Sequence, residues 1–538
     1  MDHTAGSDPR LARRLGAGLL IGAVALPLFV LAQIVAHART DEADSWLFAY
    51  YGRQMLAGWE LYGDYWDNKP PGIFWVNAAG LWLARGSYGG VIALCVAASA
   101  GVMALLYRCA RRWFGGGVAA IGLVLAAVLL WMPLYRGGTN RPEVFVMFFD
   151  LAALWMYGQA LAGDRRRTWL AAGALAGGSL IFKQTGVAAV AAILVHQAWL
   201  AVTSAPDRRR VVPRLAALAA GLVCTLSGAI LVLGLTADLR WARFGIVDFV
   251  KLYAAAHAQG LPWPRWFGLR EHLHNLALPL ILAAAGLLMA AARQLDRRGE
   301  RRAAPLPAPQ TVPRSGAPRA LPVLLLSWLA AATYLAFIGP NPAFHYVPTI
   351  LPALLLLALW TLHEALPLPQ RGSAQAILYR WIALLWMAYM LATPVAELSG
   401  AFLRARYAQR EDPDPFSTRA ALQFINGHSR PGDSIYVWDY APRVYWEAGR
   451  PCPARFTTML NVQQIGRFGQ IIVDDVARSL AAAPPKVILI PWRRAQELAA
   501  GRDDALVDYR SLGTWLCAHY RPAVEDDPTS LLVLAPER

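Results

Sequence analysis

Charge is scarce in this chain. Asp, Glu, Lys and Arg together make 16% of 538 residues, against 57% hydrophobic residues, which is too little polar surface for a soluble protein of this length. Acidic residues are scarcer than basic ones, 35 against 51, for a formal charge of +16. That excess does not call for nucleic acid, because the arginines stand in short clusters between apolar runs, where they set orientation in a bilayer. Cysteine is rare too. Five residues exclude a disulfide framework; Cys95, Cys109 and Cys224 fall in or beside apolar runs, and whether Cys452 and Cys517 pair is open. There is no P-loop, no zinc-ligand cluster and no Ser-His-Asp arrangement, and Gly115-Gly116-Gly117 reads as the relaxed start of a span. What remains is a polytopic α-helical membrane protein.

The first apolar run, Leu15 to Ala36, contains no Asp, Glu, Lys or Arg and meets the roughly 20 residues needed to cross a hydrocarbon core. It is long and lacks a convincing small-x-small cleavage site before the acidic pair, so it reads as an uncleaved anchor. Arg10, Arg13 and Arg14 precede it and place the N-terminus in the cytoplasm. Residues 73–84 are short for a span and read as re-entrant or interfacial. Spans follow at 91–107, 118–134 and 144–161. The stretch 169–202 is too long for one span and is broken at Phe182-Lys183-Gln184-Thr185-Gly186. A lysine at mid-bilayer would cost about 2.5–3.5 kcal/mol, so two spans are expected with Lys183 at their outer turn. Further spans are read at 211–236, 276–292, 321–338, 347–362 and 376–395, giving about 11 in all. Residues 293–319, rich in Arg, Pro, Ala and Gly, read as a disordered cytoplasmic linker. From residue 399 the composition becomes that of a small extracytoplasmic α/β domain. Helices are expected at 418–426 and 470–480, and strands at 434–438, 486–491 and 530–534.

Residues 38–76 interrupt this pattern with a polar, aromatic island. It holds Asp41, Glu42, Asp44, Asp64, Asp67 and Lys69 among the rings between Trp46 and Trp75. Leu47, Tyr50, Tyr51 and Met55 recur at helical spacing, as in a short helix lying in the membrane interface. After it, Pro70 and Pro71 fix φ and remove donors, so Lys69 is held in an extended segment. A carboxylate pair at a helix end, a posed ammonium and so many rings suit a site at a membrane surface better than a lipid interior or a flexible loop. The same acids also suit a helix end at a water interface, and a lysine there also snorkels to headgroups.

The island resembles the membrane glycosyltransferases of the protein O-mannosyltransferase superfamily, which includes the bacterial aminoarabinose transferases and has the GT-C fold. The residues that carry the resemblance are Asp41-Glu42 after the first span and Gly58-x-x-x-Tyr62-x-Asp64-x-x-Asp67-Asn68-Lys69-Pro70-Pro71-Gly72. With them go Asn140-Arg141-Pro142-Glu143, Phe182-Lys183-Gln184 and His345-Tyr346-Val347-Pro348. The resemblance covers the membrane part; the tail resembles the bacterial members' outer domains in placement only. It implies inverting transfer of a sugar from a polyprenyl-phosphate carrier to a lipid, glycan or protein acceptor on the outer face of a bacterial cytoplasmic membrane.

On that reading Asp41 is the base or the carboxylate that orients the acceptor, and Glu42 positions acceptor or metal. Lys69 meets the leaving phosphate, with Lys183, His345, Tyr346, Arg265 and Arg270 as further donor-phosphate ligands. Asp64, Asp67, Arg141 and Glu143 support the site. No cofactor is required by the pattern; a divalent cation is an open expectation. A transporter or flippase is the competing class, disfavoured because the ionisable residues gather at one face and no duplicated half is visible. A sensor with a ligand-binding tail leaves the island unexplained.

Overall fold

In lipid a backbone must satisfy its own hydrogen bonds, so apolar runs between arginine clusters fold as helices. The structure, a computed structural model, describes residues 18, 21–38, 43–258, 280–281, 283–284, 320–337, 344–365, 392, 395–403, 418–502, 507–521 and 531–536. After a π-helical turn, Ile21–Ala25, come α1 (Leu26–Ala38), α2 (Ala43–Leu56), α3 (Gly72–Leu83), α4 (Gly89–Phe114) and α5 (Gly116–Leu129). They are followed by α6 (Pro142–Gly163), α7 (Arg166–Phe182), α8 (Val187–Thr203), α9 (Ala205–Thr236), α10 (Leu239–Arg243), α11 (Val250–Ala258), α12 (Leu321–Phe337) and α13 (Leu351–Ala365). Among the described residues, five helical stretches are long and apolar enough to cross a membrane: Ile21–Ala38, Gly89–Phe114, Pro142–Gly163, Gln184–Thr203 and Ala205–Thr236. The spans expected at 276–292 and 376–395 lie largely outside the described residues, and the linker 293–319 lies wholly outside them.

The chain packs as two compact units. The first takes in residues 1–39, 95–227 and 264–406. In it α6 packs along α7, α12 along α8, and α13 along α5 and α12, around the fully buried Trp113, Trp131, Trp169, Trp328, Tyr135 and Tyr157. Helix α7 approaches α9 closely because Gly173 and Gly221 have no side chain: a Cβ on either would stand 1.8 or 2.0 Å from the carbonyl oxygen of Leu218 or Leu170. Small residues at such crossings let helices bury backbone against backbone where lipid offers no hydrophobic drive.

Helix α6 also carries a polar residue every seventh position, Glu143, Asp150 and Tyr157, and Asp164 caps its end. Each faces a partner. Glu143 takes Lys183, and Asp150 lies beside Ser179 and Trp328. Tyr157 bonds His196 Nδ1 at 2.6 Å and accepts from Gln197 at 2.7 Å. Asp164 is paired with Arg214 at 3.0 Å and Arg210 at 2.8 Å. The arginines at 208–214 are helical, as the first turns of α9, because Asp164 and Asp207 neutralise Arg214.

The second unit takes in residues 40–94, 228–263 and 407–538. Its C-terminal part comprises α14 (Thr418–His428), β1 (Ile435–Val437), α15 (Pro442–Ala448), α16 (Leu460–Ile465), α17 (Gln470–Ala482), β2 (Val487–Pro491), α18 (Trp492–Ala499), α19 (Arg510–His519), β3 (Tyr520–Arg521) and β4 (Leu531–Pro536). The sheet order is β1-β2-β4-β3. Strands β1 and β2 run parallel with Ile435 opposite Val487, β4 is antiparallel to β2, and β3 is antiparallel to β4. β2 reads as a continuous apolar run and is buried from Val487 to Ile490, as a strand covered on both faces requires. Helix α2 packs between α3 and α15. The sequence pattern predicted one apolar face for it, yet Leu47, Phe48, Ala49, Tyr50 and Tyr51 are all buried in succession, because the C-terminal segment covers the face a membrane surface would leave polar.

Candidate active site

The residues picked out in the sequence fall in both units. In the second, Asp44 lies in the first turn of α2 and accepts a hydrogen bond from the Tyr440 hydroxyl, just beyond β1. One turn further on, the Tyr50 hydroxyl accepts from the Cys452 backbone N–H at 2.9 Å. Tyr51 donates to the Trp66 carbonyl at 3.0 Å and shares a 2.8 Å bond with Thr457. Arg53 donates to the carbonyls of Trp446 and Tyr445. Cys452 and Cys517 are free thiols, and burial pushes the Cys452 thiol up to about 12.

The loop from Glu60 to Pro71 is restrained at nearly every residue. Asp64 Oδ2 closes a turn by accepting from the Glu60 N–H at 2.7 Å, Arg455 donates to the Gly63 carbonyl at 2.6 Å, and the Trp66 indole donates to the Trp241 carbonyl at 3.1 Å. Tyr62, fully buried, has φ of +63°. A bulky side chain in the left-handed region is strained by about 1–3 kcal/mol, and here the strain delivers its hydroxyl to the Lys69 carbonyl at 2.6 Å. Asp67 Oδ1 accepts from the Lys69 N–H at 3.0 Å and lies 3.4 Å from its ammonium, which also donates to Asn68 Oδ1 at 2.6 Å. Desolvation raises the Asp67 carboxyl above its ordinary value; Lys69 opposes the shift and Asp44 adds to it. The Lys69 side chain keeps 28% of its surface open, so the ammonium is held yet reachable. Gly245 backs the loop, since a Cβ there would stand 2.6 Å from the Asp67 carbonyl oxygen.

In the first unit, Arg141 is the extended N-cap of α6, Pro142 and Glu143 begin the helix, and Glu143 is 4% exposed. Lys183 lies just past the end of α7 with φ of −158°, before a 3-10 turn at Gln184–Gly186, so the break between two helices falls where the sequence placed it. Its ammonium donates to Glu143 Oε1 at 2.5 Å and stands 3.8 Å over the Tyr346 ring. His345 packs edge-on to Tyr346 at 4.5 Å on the 3-10 turn Phe344–Thr349. A lysine near lipid needs an anionic partner. The partner found is Glu143, on α6. The charges of His345 and Arg141 also bear on that carboxylate. Thus Arg141, Glu143, Lys183, His345 and Tyr346 come together, as do Asp67 and Lys69, while Asp64 is occupied in its own turn. Asp41, Glu42, Arg265 and Arg270 lie outside the described residues. Among the described residues no group of three or more His, Cys, Asp or Glu side chains is placed to hold a metal ion.

Residues 68–231, which begin at the Asn68-Lys69 step and include Arg141, Glu143 and Lys183, match the family model for dolichyl-phosphate-mannose-protein mannosyltransferases. A comparison with curated protein sequences gives no match. Among solved structures the chain is similar to ArnT from Cupriavidus metallidurans bound to undecaprenyl phosphate, with TM-score 0.57 and 17% identity over 90% of this chain and 95% of that one. The chain has the GT-C fold. A second GT-C structure, the Archaeoglobus fulgidus oligosaccharyltransferase tethered with an acceptor peptide, superposes with TM-score 0.52 and 15% identity over 96% of this chain and 74% of the other. The same archaeal enzyme with an inhibitory peptide and a dolichol-phosphate gives TM-score 0.52 at 13% identity. With this fold, the multi-pass membrane character read from composition stands.

Two contributors to the island were not singled out from sequence. Tyr440 comes from the tail and is linked to Asp44 across 396 positions, a separation that no local pattern reveals. Gly245 acts through close backbone approach, for which a lone Gly gives no signal; Tyr62 stood in the motif, but its left-handed backbone did not show there.

Proposed function

We propose that this protein is an inverting glycosyltransferase that moves a sugar from a polyprenyl-phosphate carrier to a cell-envelope acceptor, at the outer face of a bacterial cytoplasmic membrane, with its N-terminus inside and its C-terminal segment outside. The observation that carries the reading is the restraint on Lys69: an ammonium fixed through its own N–H, its carbonyl and two neighbouring side chains, with part of its surface still open. Such preorganised positive charge suits a departing phosphate, because it needs no rearrangement as charge develops. The family match over residues 68–231 and the fold shared with lipid-phosphate-dependent transferases support the same assignment.

In the proposed step, Asp41 takes the proton of the acceptor hydroxyl, and the acceptor oxygen attacks the anomeric carbon from the face opposite the phosphate. The bond from that carbon to the phosphate oxygen breaks and the electron pair leaves with the lipid phosphate, whose charge is met by Lys69. Glu42 positions the acceptor or a divalent cation, Arg265 and Arg270 close on the donor, and His345 and Tyr346 with Lys183 line the phosphate side. Asp64, Asp67, Arg141 and Glu143 hold these groups in place. Lys183, being bound to Glu143, acts with it as a neutral pair against the face of the Tyr346 ring. The test is release or transfer of label by the full chain in lipid from a panel of radiolabelled polyprenyl-phosphate monosaccharides, against Asp41→Asn. Turnover of one donor that is lost in the variant is expected; no turnover of any donor by a folded native chain, with membrane extract present as acceptor, would sink the transferase reading.

A further inference from the structure

Arginines gather where α6 gives way to α7 and where α9 begins. Arg165, Arg166 and Arg167 follow Asp164 at the α6–α7 turn, and Arg208, Arg209, Arg210 and Arg214 lie in the early turns of α9. The two runs are far apart in sequence, yet Asp164 joins them, taking Arg214 at 3.0 Å and Arg210 at 2.8 Å. From residue 164 to residue 214 the acidic residues are Asp164 and Asp207 alone. Arg214 is buried and takes both.

Arg165, Arg166, Arg167, Arg208 and Arg209 are left over. All five are exposed, and none has an acidic partner among the described residues. Arg165 lies back over the end of α6, its Cγ 3.8 Å from where a Cβ on Gly163 would stand. Arg208 donates through Nε to the Ala201 carbonyl, near the end of α8, at 3.0 Å. These charges do not serve the helices that carry them. Arg166 and Arg167 stand in the first turn of α7, which holds no acidic residue, and a helix start carries partial positive charge that disfavours cations. Orientation in a bilayer depends on how many basic residues flank a span; it does not require two runs to converge. Convergence builds a surface for an anion, and guanidinium groups bind phosphate oxygens in pairs.

Beside this surface the protein turns apolar. Trp199 and Val202 at the end of α8 and Val212 at the start of α9 are exposed, and they flank Arg208 and Arg209 along the chain. A soluble anion would use the arginines only. A lipid would use both.

We propose that Arg165, Arg166, Arg167, Arg208 and Arg209 bind the phosphodiester headgroup of an anionic phospholipid, whose acyl chains lie along Trp199, Val202 and Val212. A headgroup held by both runs ties the α6–α7 turn to the start of α9, where α7 and α9 already cross closely through Gly173 and Gly221. The site uses no residue of the proposed transfer step and depends only on the membrane fold.

The test places the full chain in phosphatidylcholine nanodiscs with and without phosphatidylglycerol, and reads retained lipid by native mass spectrometry together with the unfolding temperature. The native chain is expected to retain phosphatidylglycerol over phosphatidylcholine and to unfold at higher temperature with it. Arg165→Gln/Arg208→Gln, one change in each run, should weaken that retention about 30-fold, and Arg166→Gln alone about 5-fold. In phosphatidylcholine alone these variants should unfold at or above the native temperature, because repulsion is relieved, which separates a lost site from a lost fold. The control is Arg108→Gln/Arg111→Gln, which removes the same charge from exposed positions near the end of α4 and should leave retention unchanged. An equal loss in the two double variants would reduce the effect to diffuse charge and overturn the site, as would equal retention of both lipids by the native chain. Stabilisation by inorganic phosphate in phosphatidylcholine discs as large as that by phosphatidylglycerol would overturn the lipid assignment.

Discussion

At the scale of single residues, the two lysines of the proposed donor side are held in different ways. Lys183 is 8% exposed and its ammonium is bound by the Glu143 carboxylate, itself 4% exposed. Removing one partner of a buried pair leaves an uncompensated charge. Lys183→Met is expected to destabilise the protein by about 3–5 kcal/mol, and the double variant with Glu143→Gln to recover most of that loss. Thermal unfolding in nanodiscs checks it, and a double variant as unstable as the single one would show that the pair is not what holds this junction. Asp67 makes a prediction of opposite character. Desolvation raises its folded pKa above the unfolded value, so between the two values the folded state binds more protons than the unfolded state, and stability falls as pH rises. The window opens near the unfolded carboxyl pKa of about 3.9 and closes above the raised folded value. Native protein should lose stability relative to Asp67→Asn as pH climbs through it, and parallel stability curves for the two proteins would refute the shift.

At the scale of elements, helix identity came from periodicity and length, whereas the close approaches came from glycine. The break at Lys183-Gln184-Thr185-Gly186 was legible because an interior lysine cannot remain in lipid unpaired. The seven-residue polar series on α6 was present in the sequence too, but Glu143, Asp150 and Tyr157 acquire meaning only beside Lys183, Ser179 and His196 on other helices. Gly245 is the sharpest case. It lies in the π-helical turn Phe244–Phe249, against the Asp67 carbonyl and the Trp66 indole, so Gly245→Ala must push the loop that carries Lys69. Misplacement of a catalytic group by about 1 Å costs on the order of 100-fold in rate. The expected result is a fall in kcat of that size with the chain still folded; unchanged kinetics would mean that Lys69 does not depend on this support.

At the scale of the whole molecule, the segment read from composition as a separate α/β domain packs into one compact unit with the island. Tyr50, Tyr51 and Arg53 of α2 are bonded to Cys452, Thr457, Tyr445 and Trp446, and Arg455 reaches back to Gly63. A chain ending at residue 406 would strip these buried tyrosines and the arginine of their C-terminal partners. The prediction is loss of amide hydrogen-exchange protection over residues 43–69 and loss of turnover with every acceptor, rather than a changed acceptor range. Retained protection in the truncated chain would show that the island folds without the tail.

The sequence by itself determined the solvent of this protein and the grammar of its chain. Scarce charge and apolar runs of spanning length require a bilayer, prolines keep Lys69 out of a helix, and short apolar runs in the tail give strands at 435–437 and 487–491. These are local properties, set by transfer free energy and backbone sterics within a few residues. Tertiary structure alone decided which groups meet: that Lys183 takes Glu143, that Tyr440 reaches Asp44, and that the Gln33 amide lies against Gly138. Partners tens to hundreds of positions apart are chosen by the packing of whole helices, and no pattern within a single segment encodes that choice.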